Sequence, residues 1–276
     1  MFRPKRIFSQ NFLIDQNIAQ KIVQSAELKK GDIAWEIGSG KGILTAKLIK
    51  TEAQLTCFDI DRELCEYLTE QFQERITLIE GDVLDADWNK MIKALSTDEK
   101  VTLVANIPYN ITSPLLYKLA DHYYAFRKVI LMIQKEVEEK LTSKPREIGY
   151  GYLALRVNYY FNVKKLIKVP AHLFSPRPKV DSVVIALEPK NNREQLVDES
   201  LYWSIVKAAF QTRRKTLKNS LSSVLVKKEI DLLDQQLKLQ KESDKSINFD
   251  LSARGETLYE KDFLTIYRIV LDIRNS

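Results

Sequence analysis

Ile33-Ala34-Trp35-Glu36-Ile37-Gly38-Ser39-Gly40-Lys41-Gly42 decides the fold. A short apolar run ends in closely spaced glycines and a helix-like segment follows, which is the opening half of a βαβ unit. The same alternation recurs at residues 55–59, 76–80, 101–105 and 129–133. Each is a continuous apolar run, as suits strands covered on both faces, so a parallel sheet is predicted. Residues 159–169 and 182–188 predict two further strands, the second alternating, that close the sheet antiparallel at its edge. After Pro189 the polar Lys190-Asn191-Asn192-Arg193 marks a boundary, and the remainder shows only helical periodicity. The expected organisation is a mixed α/β domain over 1–190 with helices on both faces, followed by a small all-α domain over 191–276.

Composition supports a soluble globular chain: of 276 residues 45% are hydrophobic, and 8 Gly with 8 Pro exclude collagen-like and disordered classes. The longest apolar run, Val129-Ile130-Leu131-Met132-Ile133, falls far short of the roughly 20 residues that span a bilayer. Cys57, Cys65, His122 and His172 offer no four-ligand spacing, so no metal site is expected. Two thiols and no signal-peptide pattern predict a reducing, cytoplasmic setting. The net charge of +6 is modest, but its distribution is not even. Lys207, Arg213, Arg214, Lys215 and Lys218 share residues 201–223, a stretch without acids, and Arg3, Lys5 and Arg6 open the chain. Both regions suit a polyanion.

Ligands of open α/β sheets bind outside the carboxyl ends of the strands, so the polar residues there are the first candidates. Gly38, Gly40 and Gly42 form G-x-G-x-G, a pattern equally consistent with a bare tight turn and with a cofactor loop. Asp59 follows at about the 20-residue interval expected of an acid that binds a ribose diol, whereas Asp61 suits a helix cap. Asp82 and Asn106 end the next two strands. Such a series is harder to explain by capping than any one member. Asn106-Ile107-Pro108-Tyr109 suits methyl transfer to the exocyclic amine of a planar base. The lone pair of such an amine is delocalised into the ring and must be localised by acceptors, which a carboxamide and a Pro-stiffened turn supply while an aromatic face stacks the base. An ordinary strand-ending turn is the second reading of this tetrad.

Taken together, Phe8-Ser9-Gln10-Asn11-Phe12-Leu13, Glu36-Ile37-Gly38-Ser39-Gly40, Asp59-Ile60-Asp61, Gly81-Asp82-Val83, Asn106-Ile107-Pro108-Tyr109-Asn110, Gln134-Lys135-Glu136-Val137, Phe174-Ser175-Pro176-Arg177-Pro178-Lys179-Val180-Asp181-Ser182 and Arg213-Arg214-Lys215-Thr216-Leu217 carry a resemblance. The chain resembles the Rossmann-like class I S-adenosylmethionine-dependent methyltransferases, and among them the ribosomal RNA adenine N6-dimethyltransferases of the KsgA type. The resemblance implies S-adenosyl-L-methionine as cofactor, with Asn11 and Leu13 closing over it and Gly38 against its methionine part. By the same token Asp59 holds the ribose, Asp82 the adenine amine, and Asn106 stands between cofactor and substrate. Tyr109 and Phe174 would sandwich the flipped target adenine. Arg213, Arg214, Lys215 and Lys218, helped by Lys164, Lys165 and Arg177, would grip RNA. The implied substrate is a pair of adjacent adenines in the hairpin near the 3′ end of small-subunit rRNA, reached by a monomer in an assembling subunit. Two alternatives are a large-subunit rRNA methyltransferase conferring macrolide resistance and an assembly checkpoint whose methylation is secondary. The chain departs from the family pattern at Ser39 (commonly Pro), Asp59 (more usually Glu) and Tyr152 (commonly basic).

Overall fold

The computed structural model describes residues 10–276, so Arg3, Lys5, Arg6, Phe8 and Ser9 lie outside the described residues. It forms two compact units: residues up to Glu139 with Tyr160–Asn191, and Lys140–Tyr159 with Asn192–Ser276.

The first unit carries strands β1 (Phe12–Leu13), β2 (Ile33–Ile37), β3 (Gln54–Asp59), β4 (Thr77–Glu80), β5 (Val101–Asn106), β6 (Phe126–Gln134), β7 (Phe161–Val169), β8 (Phe174–Ser175) and β9 (Ser182–Pro189). Helices α1 (Gln16–Ser25), α2 (Thr45–Leu48), α3 (Arg62–Phe72), α4 (Trp88–Lys93) and α5 (Thr112–Asp121) connect them, and α6 (Lys135–Thr142) and α7 (Tyr152–Tyr160) lead into and out of the second unit. The seven-stranded sheet has the order β4-β3-β2-β5-β6-β9-β7. Its first five strands are parallel, and β9 runs antiparallel between β6 and β7. The expected mixed α/β sheet is therefore present. Chain order reverses at β2, which lies between β3 and β5, and a crevice opens at such a point.

Strand alternation sorts the core into two layers. Ala34, Cys57, Val104, Ile130 and Val184 pack with Ala19, Ile22 and Val23 of α1 and Leu48 of α2. On the other face Trp35 stands edge-to-face with Phe58, Trp88 and Phe126, at centroid distances of 5.6, 5.5 and 6.1 Å. Such ring pairs add about 0.5–1.5 kcal/mol each beyond the area they bury. Asp15, Asp61 and Asp87 cap α1, α3 and α4 by accepting from Ile18, Glu63 and Lys90 amides, which fixes where each helix leaves its strand.

In the second unit α8 (Glu199–Gln211), α9 (Leu217–Leu221), α10 (Lys227–Ser243) and α11 (Glu260–Asn275) form an all-helical body, with Phe210 against Phe263 at 5.8 Å. Two sequence expectations need correction. Residues 140–159 group with these helices and not with the sheet, because Tyr150 packs on Phe210 and donates to the Leu258 carbonyl, and Arg156 lies over the Trp203 ring. Tyr159 and Tyr160 end α7 instead of starting β7. The ring of Tyr159 packs on Tyr202 and Trp203, and that tertiary contact overrides the strand preference of an aromatic run. Among the described residues no helix is long and apolar enough to cross a membrane.

Candidate active site

The crevice holds a cavity of about 290 Å³, lined by Gly38 after β2, Asp59 of β3, Asp82 after β4, and Asn106 with Tyr109 at the end of β5. Gln10, Asn11, Phe12 and Phe174 also line it. The strand-end residues singled out by sequence are thus brought together.

The glycine loop is a steric necessity. Gly38 has φ of +72°, and a Cβ there would fall 3.0 Å from the backbone oxygen of Asn106. Gly40, with φ of +55°, would press a Cβ to 3.2 Å from the Phe12 ring, while its N–H donates to Asp59 Oδ2 at 2.7 Å. Asp59 Oδ1 accepts from the Asp61 amide at 3.0 Å. Burial raises the pKa of Asp59, and the Asp61 and Gly40 amides oppose the shift. A carboxylate has about four acceptor sites, so Asp59 retains capacity for a diol after both bonds. Asp82 spends Oδ1 on the Leu84 amide at 2.8 Å.

Asn106 donates through Nδ2 to the Asn11 carbonyl at 3.4 Å, which leaves its carboxamide oxygen as the acceptor for a ligand. Tyr109 is half-buried and shares a hydrogen bond with Ser182 Oγ at 3.0 Å. Burial raises the phenol pKa, so the ring is neutral. Phe174 lines the cavity yet is only 4% exposed, packed into the α1 layer of the core.

Sequence reading missed several contributors. Leu13, expected to close over the cofactor, turns its side chain into the core while Phe12 faces the cavity. Successive strand residues point to opposite faces, and in a two-residue strand nothing in the sequence shows which is which. Asn11 does roof the cavity, through its carbonyl to Asn106. Lys118 of α5 braces the turn after Asp82, donating to the carbonyls of Val83, Leu84 and Ala86. Glu36 lies beneath the loop, where Oε2 accepts from Thr45 Oγ1 at 2.7 Å and from Cys57 Sγ at 3.4 Å. Its Oε1 has no partner among the described residues, and burial pushes its pKa up to about 7.

The basic residues divide. Arg214, Lys215 and Lys218 are exposed. Arg213 instead donates to the carbonyls of Ile148 and Tyr150 at 2.9 and 2.8 Å, bracing its own unit. Lys164 and Lys165 pair with Glu188 and Glu138, while Arg177 is exposed.

The family model described as ribosomal RNA adenine dimethylase matches residues 1–249. Ribosomal RNA small subunit methyltransferase A of Clostridium acetobutylicum is 37% identical over 95% of this chain and 92% of its own length. The protein of the same name from Francisella tularensis subsp. novicida is 35% identical over 96% of both chains. Among solved structures, a dimethyladenosine transferase from Plasmodium falciparum superposes with a TM-score of 0.71 at 27% identity, covering 96% of this chain and 98% of its own. The 23S rRNA methyltransferase ErmE shares the fold, with a TM-score of 0.64 at 23% identity over 94% of this chain and 99% of its own. The chain belongs to the ribosomal RNA adenine dimethylase family.

Proposed function

We propose that the protein transfers methyl groups from S-adenosyl-L-methionine to the exocyclic N6 of adenine in small-subunit ribosomal RNA, two per base. The observation that carries this reading is the meeting of Asn106, Pro108 and Tyr109 with Asp59, Asp82 and Gly38 around one cavity. Acceptors for an amine and a flat aromatic face stand on one side. Acids suited to a nucleoside stand on the other.

The residues fit the cofactor. Gly38 and Gly40 keep side chains out of the cavity wall beside Asn106, Asp59 keeps acceptor capacity for a ribose diol, and Asp82 keeps its second oxygen for a base amine. When bound, the cofactor supplies a methyl group on a positively charged sulfur, which is already a good leaving group. The protein's share is alignment and polarisation of the amine. The Asn106 oxygen and a carbonyl of the Ile107-Pro108 turn accept the two N–H groups, which draws the nitrogen lone pair out of the ring and toward the reacting carbon. Tyr109 and Phe174 hold the base plane, and holding reactants in a near-attack geometry is worth about 7–11 kcal/mol in favourable cases. The amine's surplus proton leaves to water after transfer, so no side-chain base is needed.

The finer target follows the family: two adjacent adenines in the 3′-terminal hairpin, methylated by a monomer on an assembling subunit in the cytoplasm, with Arg214, Lys215 and Lys218 against RNA phosphates and residues 191–276 as the RNA-binding part. The test is tritiated methyl transfer to unmodified small and large subunits, with the product mapped by primer extension. Label confined to small-subunit rRNA, with stops at neighbouring adenines, is expected. Label in the large subunit would overturn the assignment.

A further inference from the structure

Asp181 and Ser182 end the loop that begins at Phe174, and neither lines the cavity. Ser182 opens β9 and pairs on both sides, with Gln134 of β6 and Val169 of β7. Its backbone is therefore held by the interior of the sheet, and its side chain is 1% exposed. From that fixed point the hydroxyl reaches Tyr109 Oη at 3.0 Å. Asp181 works on the other ring. Its Oδ1 accepts from the Ala171 amide at 2.9 Å, and its own carbonyl accepts from Lys135 N at 3.1 Å, which anchors it to the end of β6. Ala171 starts the short helical turn that delivers Phe174. The same turn receives the Ile14 amide on the Leu173 carbonyl at 2.9 Å, and Phe174 then pairs with Leu13.

We infer that Asp181 and Ser182 are positioning residues for the substrate base: one rigid strand end fixes the edge of the Tyr109 ring through Ser182 and the turn carrying Phe174 through Asp181, and so sets the gap between the two aromatic faces. The inference rests on the reading of Tyr109 and Phe174 as the rings that sandwich the flipped adenine. Its physical basis is that Tyr109 lies in a turn after β5 of the main sheet and Phe174 in β8, which is laddered to β1 and not to that sheet, so the two segments share no direct ladder. Their link through the two-residue strand β1 and the 3.4 Å bond from Asn106 Nδ2 to the Asn11 carbonyl is slight, so a reference in the main sheet is what steadies their separation. A stacked base tolerates little of that, since a misplacement of about 1 Å can lower a rate about 10²-fold.

The test is steady-state methyl transfer on unmodified small subunits, with cofactor affinity measured separately by calorimetry. Ser182→Ala is expected to lower kcat about three- to tenfold, the size of one neutral hydrogen bond, and to leave cofactor affinity unchanged. Tyr109→Phe removes the same bond from its half-buried end, so it is expected to lower kcat equally even where Ser182→Ala perturbs folding. The double variant should be no slower than either single one. Asp181→Ala should also slow turnover, and Asp181→Asn, which keeps an oxygen acceptor for the Ala171 amide, should restore it. A wild-type rate for Ser182→Ala, multiplied losses in the double variant, or an Asp181→Asn as slow as Asp181→Ala would overturn the inference. Full turnover by Tyr109→Ala and Phe174→Ala would instead overturn the stacking reading beneath it.

Discussion

Glu36 shows how much a single side chain can be hidden by its motif. In sequence it is one letter of a glycine-loop signature. In the fold it is a carboxyl of 1% exposure with an unpartnered oxygen. Desolvation raises its pKa from 4.5 to about 7, against the bonds from Thr45 and Cys57 that favour the charged form. The direction of the linkage follows. Below the unfolded value of 4.5 both states hold the proton and the stability is fully present, and it is lost as pH rises through about 7. At about 1.36 kcal/mol per pKa unit the loss amounts to roughly 3 kcal/mol. Burial moves Asp59 in the same direction, so some slope remains without Glu36. Glu36→Gln keeps an acceptor for Thr45 but cannot ionise, so its melting temperature should fall less between about pH 5 and pH 8 than that of the parent chain. Equal falls, followed by circular dichroism, would refute the assignment. Asn106 yields a prediction of the opposite kind, about chemistry without stability. Its Nδ2 is held by the Asn11 carbonyl, and under the proposed mechanism its oxygen accepts from the target amine, so Asn106→Ala should cut kcat by about 10²- to 10³-fold, the usual cost of removing one preorganised polar group. Cofactor binding by calorimetry should persist. Retained turnover would sink the amine-polarising role. Asn106 was legible in the sequence because a polar residue ends an apolar run, whereas the burial of Glu36 depends on Thr45 and Cys57, whose side chains reach it only in the folded chain.

At the scale of elements, β1 makes the clearest case. Strands β2, β3, β5 and β6 could be read from sequence since each is a continuous apolar run covered on both faces, and the site residues came with them because they sit at the carboxyl ends. A strand of two residues leaves no periodicity to read. Its existence depends on β8, more than 150 residues later, with Phe12 opposite Ser175 and Leu13 opposite Phe174. Burial then sorts the two side chains. Phe12 covers Gly40 and lies 4.8 Å beneath the Lys41 ammonium, while Leu13 enters the core. Phe12→Ala should therefore unroof the cavity, weakening cofactor binding roughly tenfold, since about 1–2 kcal/mol of apolar cover is lost at the site. Leu13→Ala should act on folding, lowering stability by about 2–5 kcal/mol as a buried Leu deletion does, with less effect on cofactor affinity in the folded protein. Calorimetry and thermal unfolding on both variants separate the two. Identical profiles would mean that β1 is structural throughout. The error over Tyr159 and Tyr160 has the same origin as the surprise over β1: both segments take their conformation from partners distant in the chain, Tyr202 and Trp203 in one case and β8 in the other.

For the molecule as a whole, the net charge of +6 says less than where the cations are used. Arg213 belongs to the acid-free stretch that pointed to RNA, yet its guanidinium is committed to the Ile148 and Tyr150 carbonyls and lies 3.8 Å from Glu256. Sequence counts a cation but does not show whether the fold has already employed it. Arg214, Lys215 and Lys218 are exposed, and among the described residues no ion pair joins them to an acid. Their charge remains available to phosphate. Replacing Lys215 and Lys218 together with Ala should weaken RNA binding and reduce the slope of log affinity against log salt by about 0.7 to 0.9 per residue, the counterion release expected of one phosphate contact. Arg213→Ala should change that slope less and lower the thermal stability more, because two backbone carbonyls lose their donor. The measurement is a salt titration of binding to unmodified small-subunit RNA, with cofactor affinity as the control for an intact sheet unit. An unchanged slope in the double lysine variant would move the RNA contact to other cations, of which Arg177 beside the Phe174 loop is exposed and the next to test.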